Sequence, residues 1–527
     1  MDTKALRQKI LDLAIRGKLV PQDPNDEPAE VLLERIREQK QQMLKEGKLK
    51  KKDIKNDTII FKGEDNLHYE KFQDGTIKCI EDEIPFEVPE GWAWCKLNDI
   101  YNFIDYRGAT PTKITNGIPL VTAKNVKSGY IDYTIDDYIS EEEFKERQQR
   151  GISKKGDILF TTEAPLGNAA LADMEKFSAG QRLITFQQYG SKNELINYVM
   201  LMFILSDFFQ QQLYVNKTGS TVAGIKAAIL KTLWIPVPPY NEQLRISNTL
   251  KSAINLIDSI SKNKEILSTS ISNTKSKILD LAIRGKLVPQ DPNDEPASVL
   301  LERISAEKEE LIKQGKIKRD KKESVIFKGD DNSYYEKLPD EKINCIDKQL
   351  PFELPDGWKW CNLSMIGTTN IGLTYRPADI DTQGIIVLRS CNIVNDRINR
   401  TDLVRVKTSI RENQFVQKDD ILICARNGSR SLVGKCALIP ELAEKVSFGA
   451  FMAVYRTPYF SYIVHFLRSN FFRSVFDDSN STAINQLTQD MLKRAVVPLP
   501  PLAEQLRIVD KITELFERLN CIEESLN

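Results

Sequence analysis

Across residues 242–288 the apolar side chains Ile246, Leu250, Ala253, Ile257, Ile260, Leu267, Ile271, Ile278 and Leu281 recur close to every 3.5 residues, with polar and charged residues between them. That spacing is the seam of a long coiled-coil helix, about 47 residues and so roughly 70 Å if unbroken. Pro238-Pro239 opens it, and Gly285 followed by Pro289 closes it. Residues 504–526 carry the first part of the same pattern, and residues 4–20 carry the last part. Joined across the termini, tail and head reproduce the central helix. The pattern therefore predicts a central helix antiparallel to the C-terminal one, with the N-terminal helix completing the far end. Between the helices, short apolar runs predict strands at 117–121, 157–161 and 183–187, and again at 384–389, 420–424 and 451–455. Helices over about 192–213 and 459–476 are expected to close the apolar face of each sheet. Residues 29–55 and 297–322 read as charged helices running into basic runs, LKEGKLKKKDIK and IKQGKIKRDKK; these suit either solvated linkers or arms for phosphate or a partner.

The chain repeats itself. ILDLAIRGKLVPQDPNDEPA at 10–29 recurs letter for letter at 278–297, and VLLERI follows in both copies. IIFKG at 59–63 answers VIFKG at 325–329, IPFEVPEGWAWC at 84–95 answers LPFELPDGWKWC at 350–361, and WIPVPPYNEQLRI at 234–246 answers VVPLPPLAEQLRI at 496–508. Between about 98 and 232, and between about 364 and 494, only a sparse frame is shared. Each half thus has common ends and an individual middle. Identical ends can build one packing surface twice, while unlike middles can contact two different things.

Charge and composition narrow the chemistry. The 74 basic and 74 acidic residues cancel, so no polycationic coat is indicated, although local clusters and not the total decide nucleic-acid binding. Two histidines and eight cysteines without a C-x-x-C pair leave little material for a zinc site or a histidine-based catalytic centre. Four of the cysteines form repeat-equivalent pairs, Cys79 with Cys345 and Cys95 with Cys361, and are expected to be buried reduced thiols of a cytoplasmic protein. The opening MDTKALRQKILDLAIRGKLV is too charged and too periodic for a signal peptide, and the longest apolar run, residues 198–205, is far short of a membrane span.

Catalytic signatures fail on inspection. Pro238-Pro239-Tyr240 resembles the N/D-P-P-Y/F loop of amino-methyltransferases, but Val237 stands where the polar acceptor belongs, and the second copy reads Leu499-Pro500-Pro501-Leu502. A strand-to-helix connector fits better. Residues 428–436, GSRSLVGKC, imitate a phosphate-binding loop with one residue too many and Cys436 in place of the magnesium-holding Ser or Thr. No catalytic residue and no metal ligand is expected.

What the middles do offer is polar and basic side chains among Gly and aromatics at strand ends. Arg, Asn and Gln suit bidentate base-edge contacts, while Lys, Ser and Thr suit phosphates. The candidates for DNA contact in the first half are Arg107, Thr122, Lys124, Asn125, Lys217, Ser220, Thr221 and Lys226. Those in the second half are Arg376, Arg389, Asn392, Arg426, Asn427, Arg430, Ser481, Thr482, Asn485 and Gln486.

With Pro-x-Pro-Pro-x-x-Glu-Gln at both domain-to-helix junctions and Gly/Asn-Ser-Thr at 219–221 and 480–482, the whole chain resembles the specificity subunit of type I restriction-modification enzymes. The extra N-terminal helix, with its LDLAIRGKLVPQ block and charged arm, departs from the simplest members. The resemblance implies an α+β fold: two mixed α/β target-recognition domains separated by a long antiparallel coiled coil, in a pseudo-two-fold internal duplication. The corresponding division is an N-terminal scaffold helix (1–20), a charged arm (21–56), a first recognition domain (57–240), the central helix (241–288), a second arm (289–322), a second recognition domain (323–501) and a C-terminal helix (502–527). It also implies a non-catalytic subunit that binds double-stranded DNA with a bipartite target, the helices setting the spacer. Two methyltransferase subunits would carry S-adenosylmethionine, and restriction subunits would carry ATP and magnesium, with no cofactor on this chain. The repeated junction residues Glu242, Gln243, Arg245, Ile246, Glu504, Gln505, Arg507 and Ile508 are the expected partner-binding scaffold. The competing reading is a non-DNA adaptor that pairs two identical proteins through the duplicated scaffold.

Overall fold

The structure is a computed structural model that describes residues 2–106, 110–189, 194–219, 223–317, 319, 323–338, 340–477 and 486–526. The chain divides into two compact units, Met1–Lys264 and Glu265–Asn527.

In the first unit the helix Thr3–Ile15 starts where Asp2 Oδ1 accepts the amides of Lys4 and Ala5 at 2.9 and 3.0 Å. Leu11, Ala14 and Ile15, one stripe at helical spacing, pack into a core with Ile246 and Leu250 of the helix Tyr240–Ile283. Thr3 Oγ1 meets Ser261 Oγ at 2.7 Å and Arg7 pairs with Asp258, so the two segments run in opposite directions. Gly17 ends the first helix at φ +65°, and a side chain there would collide with Pro89, which explains why only glycine stands at this point.

A four-stranded antiparallel sheet, ordered Tyr101–Asp105, Leu183–Gln188, Ile158–Thr161, Ala169–Leu171, forms the centre of this unit. Strand alternation sends Ile158, Phe160, Ile184 and Phe186 to one face, against Val199, Phe203 and Phe209. Leu159, Ala170 and Leu183 go to the other face, against Val121, Val126 and Phe177. With both faces buried, only strand ends and loops are left to contact anything else. The strand Ala93–Lys96 pairs with Trp234–Val237, and that pairing delivers the chain into Pro238-Pro239 and the long helix.

The second unit repeats the plan. Its central sheet is ordered Thr368–Ile371, Met452–Arg456, Ile421–Cys424, Cys436–Leu438, and Lys359–Asn362 pairs with Val496–Leu499 ahead of the helix Leu502–Ser525. Ile278, Leu279, Ala282 and Ile283 pack with Ile508 and Ile512, as their counterparts do in the first unit. Lys275 Nζ lies 2.8 Å from Glu523 Oε2.

Three expectations need correction. The single helices expected over 192–213 and 459–476 are each two, Asn197–Ile204 with Asp207–Val215, and Phe460–Arg468 with Asn470–Asp477. Ser206 and Ser469 break them: each is extended, and its hydroxyl accepts the amide of Phe209 or Phe472 as an N-cap. The charged arms are docked helices, Ala29–Lys45 and Ala297–Lys313. Lys40, 2% exposed, donates to Asn98 O at 3.0 Å and pairs with Asp57, while Lys308 bonds Ser364 O and Glu323. Finally, Cys95 and Cys361 are buried, but Cys79 and Cys345 are exposed, since they sit on the outer strands of small three-stranded sheets, Ile77–Cys79 and Ile343–Cys345, all of whose residues are exposed.

Helix Phe460–Arg468 carries His465 at the position held by Met202 in the first unit, each four residues before the capping serine. Its Nδ1 is buried without a hydrogen-bond partner. Burial, with Arg468 nearby, pushes its pKa down from 6.5 to about 3. The unfolded chain therefore takes up a proton as pH falls through 6.5 while the folded chain does not, and stability drops toward pH 3. In urea titrations between pH 7 and 4, His465→Met is expected to lose less stability than wild type; parallel profiles would count against this account.

Candidate nucleic-acid interface

The repeated junction is built around a buried carboxylate. In the first unit Glu242 Oε2 accepts Trp92 Nε1 at 2.9 Å, and Oε1 accepts Gln22 Nε2 at 3.1 Å. Gln22 also donates to Gly17 O at 2.6 Å, and Arg245 binds Asp26 at 2.5 Å. Gln243 completes the knot by accepting the Ile196 amide and donating to Pro238 O. The second unit reproduces it: Glu504 accepts Trp358 at 2.9 Å and Gln290 at 3.1 Å, Gln290 donates to Gly285 O, Arg507 binds Asp294, and Gln505 donates to Pro500 O. Burial pushes both glutamates above the ordinary carboxyl range, and the Gln and Trp donors hold them partly down.

This corrects the expectation for the partner scaffold. Glu242, Gln243, Ile246, Glu504, Gln505 and Ile508 are buried inside their own units, and Arg245 and Arg507 are tied to aspartates. The six buried residues present no outer surface because they pack or hydrogen-bond inward, and the two arginines stay part-exposed. The exposed apolar residues on the same turns are Tyr240 and Leu244 in one unit and Leu502 and Leu506 in the other. Each pair is spaced i, i+4, so both members share one helix face.

The predicted DNA contacts sort into three groups. Arg107, Ser220, Thr221, Ser481, Thr482 and Asn485 lie outside the described residues. Asn125 and Asn392, 3% and 1% exposed, are turned inward, contrary to expectation. Asn125 Oδ1 accepts the Thr122 amide and hydroxyl at 2.9 and 2.8 Å, and its Nδ2 donates to Asp132 O and Ile135 O. Asn392 accepts the Arg389 amide at 2.9 Å and donates to Asn399 O and Asp402 O. With every polar atom used, these amides lock a turn and have nothing left for a base.

Thr122 is part-buried with its hydroxyl on Asn125, and the remainder lie at or near the surface. Lys124, Arg376, Arg426, Arg430 and Gln486 are exposed. Arg389 Nη2 is 2.8 Å from Asp402 Oδ2. Asn427 ties its loop to the neighbouring turn, donating to Ser390 Oγ at 3.3 Å and accepting the Ser429 amide at 3.0 Å. Lys217 Nζ lies 3.4 Å from the Tyr214 ring centroid and pulls that phenol below its ordinary range.

In the first unit a groove of about 390 Å³ gathers Thr162, Glu163, Gln181, Arg182, Thr218, Gly224, Ile225 and Lys226. Of the predicted residues it contains Lys226. Glu163, Gln181 and Arg182 were missed, because they sit just beyond strand ends with no repeat-matched letters to mark them. Among the described residues, His68, Glu81 and Glu87 bring ligand atoms within 4.8 Å of one another. His68 Nδ1 already pairs with Glu81 at 2.7 Å, and the second unit has Tyr334, Asp347 and Glu353 at those places, so this group is no part of the repeated frame. No helix among the described residues is long and apolar enough to cross a membrane.

Comparison with known proteins agrees with this arrangement. The family described as "Type I restriction modification DNA specificity domain" matches residues 89–268 and again 355–527. The EcoAI specificity subunit of Escherichia coli is 30% identical over 98% of this chain and 89% of its own length. The EcoEI specificity subunit of the same species is 28% identical over 98% and 89%. A chain from a solved type I R-M system, studied for complex assembly and conformational transition, shares the fold at TM-score 0.55 and 16% identity, covering 84% of this chain and 94% of that one. The chain belongs to the type I restriction-modification specificity family, as a specificity subunit with two target-recognition domains. The adaptor reading, without DNA, is not favoured by these matches.

Removing the junction carboxylate strands a buried indole donor. Glu242→Ala and Glu504→Ala are each expected to destabilise their unit by about 1–3 kcal/mol, with Glu→Gln costing less because one acceptor remains. Urea unfolding followed by near-UV circular dichroism measures this; a loss below about 0.5 kcal/mol would show that the knot is not held as described.

Proposed function

We propose that this chain supplies sequence recognition to a type I restriction-modification complex, each target-recognition domain reading one half of a bipartite site in double-stranded DNA. The observation that carries this reading is one hydrogen-bonded junction built twice from identical letters, each holding a central sheet whose end loops differ between the copies. Identical frames suit two copies of one partner, and unlike loops suit two unlike half-sites.

On this reading residues 57–240 and 323–501 are the recognition domains, and the N-terminal, central and C-terminal helices form an antiparallel coiled-coil scaffold with pseudo-two-fold symmetry that sets the spacer. The opposed pairings Arg7 with Asp258 and Lys275 with Glu523 support that scaffold. Two methyltransferase subunits bring S-adenosylmethionine, and restriction subunits bring ATP and magnesium, while this chain performs no catalysis itself. The twice-repeated exposed pairs Tyr240/Leu244 and Leu502/Leu506 fit docking of the two methyltransferase subunits better than the buried residues beside them. With no net charge on the chain, part of the phosphate grip comes from those partners.

The test is to express the chain with its modification subunits and map methylated positions genome-wide. Two short motifs separated by a fixed gap are expected, and replacing residues 364–494 with those of another family member should change one motif only. A continuous motif, or change in both halves, would overturn the division of labour.

A further inference from the structure

We infer that each unit reads a guanine through one arginine placed at the same point of its central sheet, Arg182 in the first unit and Arg426 in the second. This rests on the half-site reading above and names what each half-site must contain.

The correspondence is set by backbone hydrogen bonds. In the first unit the Thr162 amide donates to Arg182 O at 3.1 Å, and the Ile225 amide donates to Thr162 O at 3.0 Å. In the second the Ala425 amide donates to Phe451 O at 2.9 Å, and the Leu487 amide donates to Ala425 O at 2.7 Å. Glu163 bridges Gly224 in one unit, as Arg426 bridges Gln486 in the other. Glu163 and Arg182 therefore occupy the places of Arg426 and Phe451. One arginine stands at this strand-end pair in each unit, supplied from opposite strands.

Its companion differs. Arg182 Nε lies 3.0 Å from Glu163 Oε1, an ion pair that engages the Nε edge and leaves both Nη groups as donors. The Arg426 guanidinium lies 5.4 Å from the ring centroid of the exposed Phe451, within cation–π range. Arg182 is itself 50% exposed and borders the groove that also holds Lys226. A phosphate needs only positive charge and accepts a mobile lysine, as Lys217 and Lys226 can provide. The planar guanidinium fork, which lysine lacks, matches the O6 and N7 acceptors of guanine, the commonest specific contact in the major groove.

The experiment uses the full chain in complex with its modification subunits and compares wild type with Arg182→Ala, Arg182→Lys, Arg426→Ala and Arg426→Lys. Site preference is read from methylation of a randomised duplex library, and binding from titrations at several salt concentrations. Each substitution is expected to relax one G·C position in one half only, lowering discrimination there about 10- to 100-fold, with lysine no better than alanine because it lacks the fork. Unchanged melting of the variants would attribute that loss to contact with DNA. The inference falls if the variants weaken binding equally for all sequences with a shallower salt slope and lysine restores it, which marks a phosphate contact. It falls too if a bipartite wild-type motif lacks a G·C pair in either half, an outcome that leaves the half-site reading intact. A wild-type motif that is not bipartite removes the half-site reading and this inference with it.

Discussion

A carboxylate taken out of water must be given donors or it will not stay charged, and in this protein that requirement organises each unit. Glu242 and Glu504 sit at the first turn of a helix that leaves a two-stranded pairing, under the indole of a tryptophan and beside the amide of a glutamine. Those donors come from segments far away in sequence: Trp92 from the strand-entry turn, and Gln22 from the loop after the first helix, where Gly17 is bent to φ +65°. Three pieces of chain are thereby fixed to one point. Because each donor has one orientation, no piece can shift without orphaning a buried polar group. This accounts for twenty consecutive letters being identical in the two copies: the constraint acts on loop geometry as well as on core volume.

The same constraint leaves the middles free to differ. The central sheet of each unit is covered on both faces, by paired helices on one side and a smaller sheet on the other. Its central strands must therefore remain apolar on both faces, as the fully buried runs Ile158–Thr161 and Ile421–Cys424 are, whatever the unit recognises. That leaves strand ends and the loops beside them, such as those after Ile158–Thr161 and Ile421–Cys424, free to vary. Differences there cost the core little, whereas a change at the junction would be felt throughout the unit.

Periodicity made much of this legible beforehand. The strands at 157–161 and 420–424 show as short apolar runs and the long helix as a 3.5-residue period, while the opposed direction at its ends follows from the repeat, in which tail and head together reproduce that helix. What spacing does not report is which way a polar side chain turns. Asn125 and Asn392 have the chemistry of adenine readers, but a turn that exposes its own carbonyls claims their amides first. Ser206 and Ser469 lie inside apolar runs, and only their capping geometry shows that the helix stops. Glu242 and Glu504 looked like surface residues because charge usually means exposure; the signal for burial was that Trp92 and Gln22 were repeated along with them.

Arg182 and Arg426 escaped comparison of the copies for a related reason. The chain between the two strands is longer in the second unit, so Glu163 matches Arg426 at one offset while Arg182 matches Phe451 at another. A linear alignment sees two unrelated substitutions. Hydrogen bonding places one arginine at each strand-end pair, on opposite strands, beside an acid in one unit and a ring in the other. Such a difference keeps the donor fork while altering its surroundings. Duplication within one chain makes that divergence possible, because two copies of an identical subunit would be bound to read the same half-site twice.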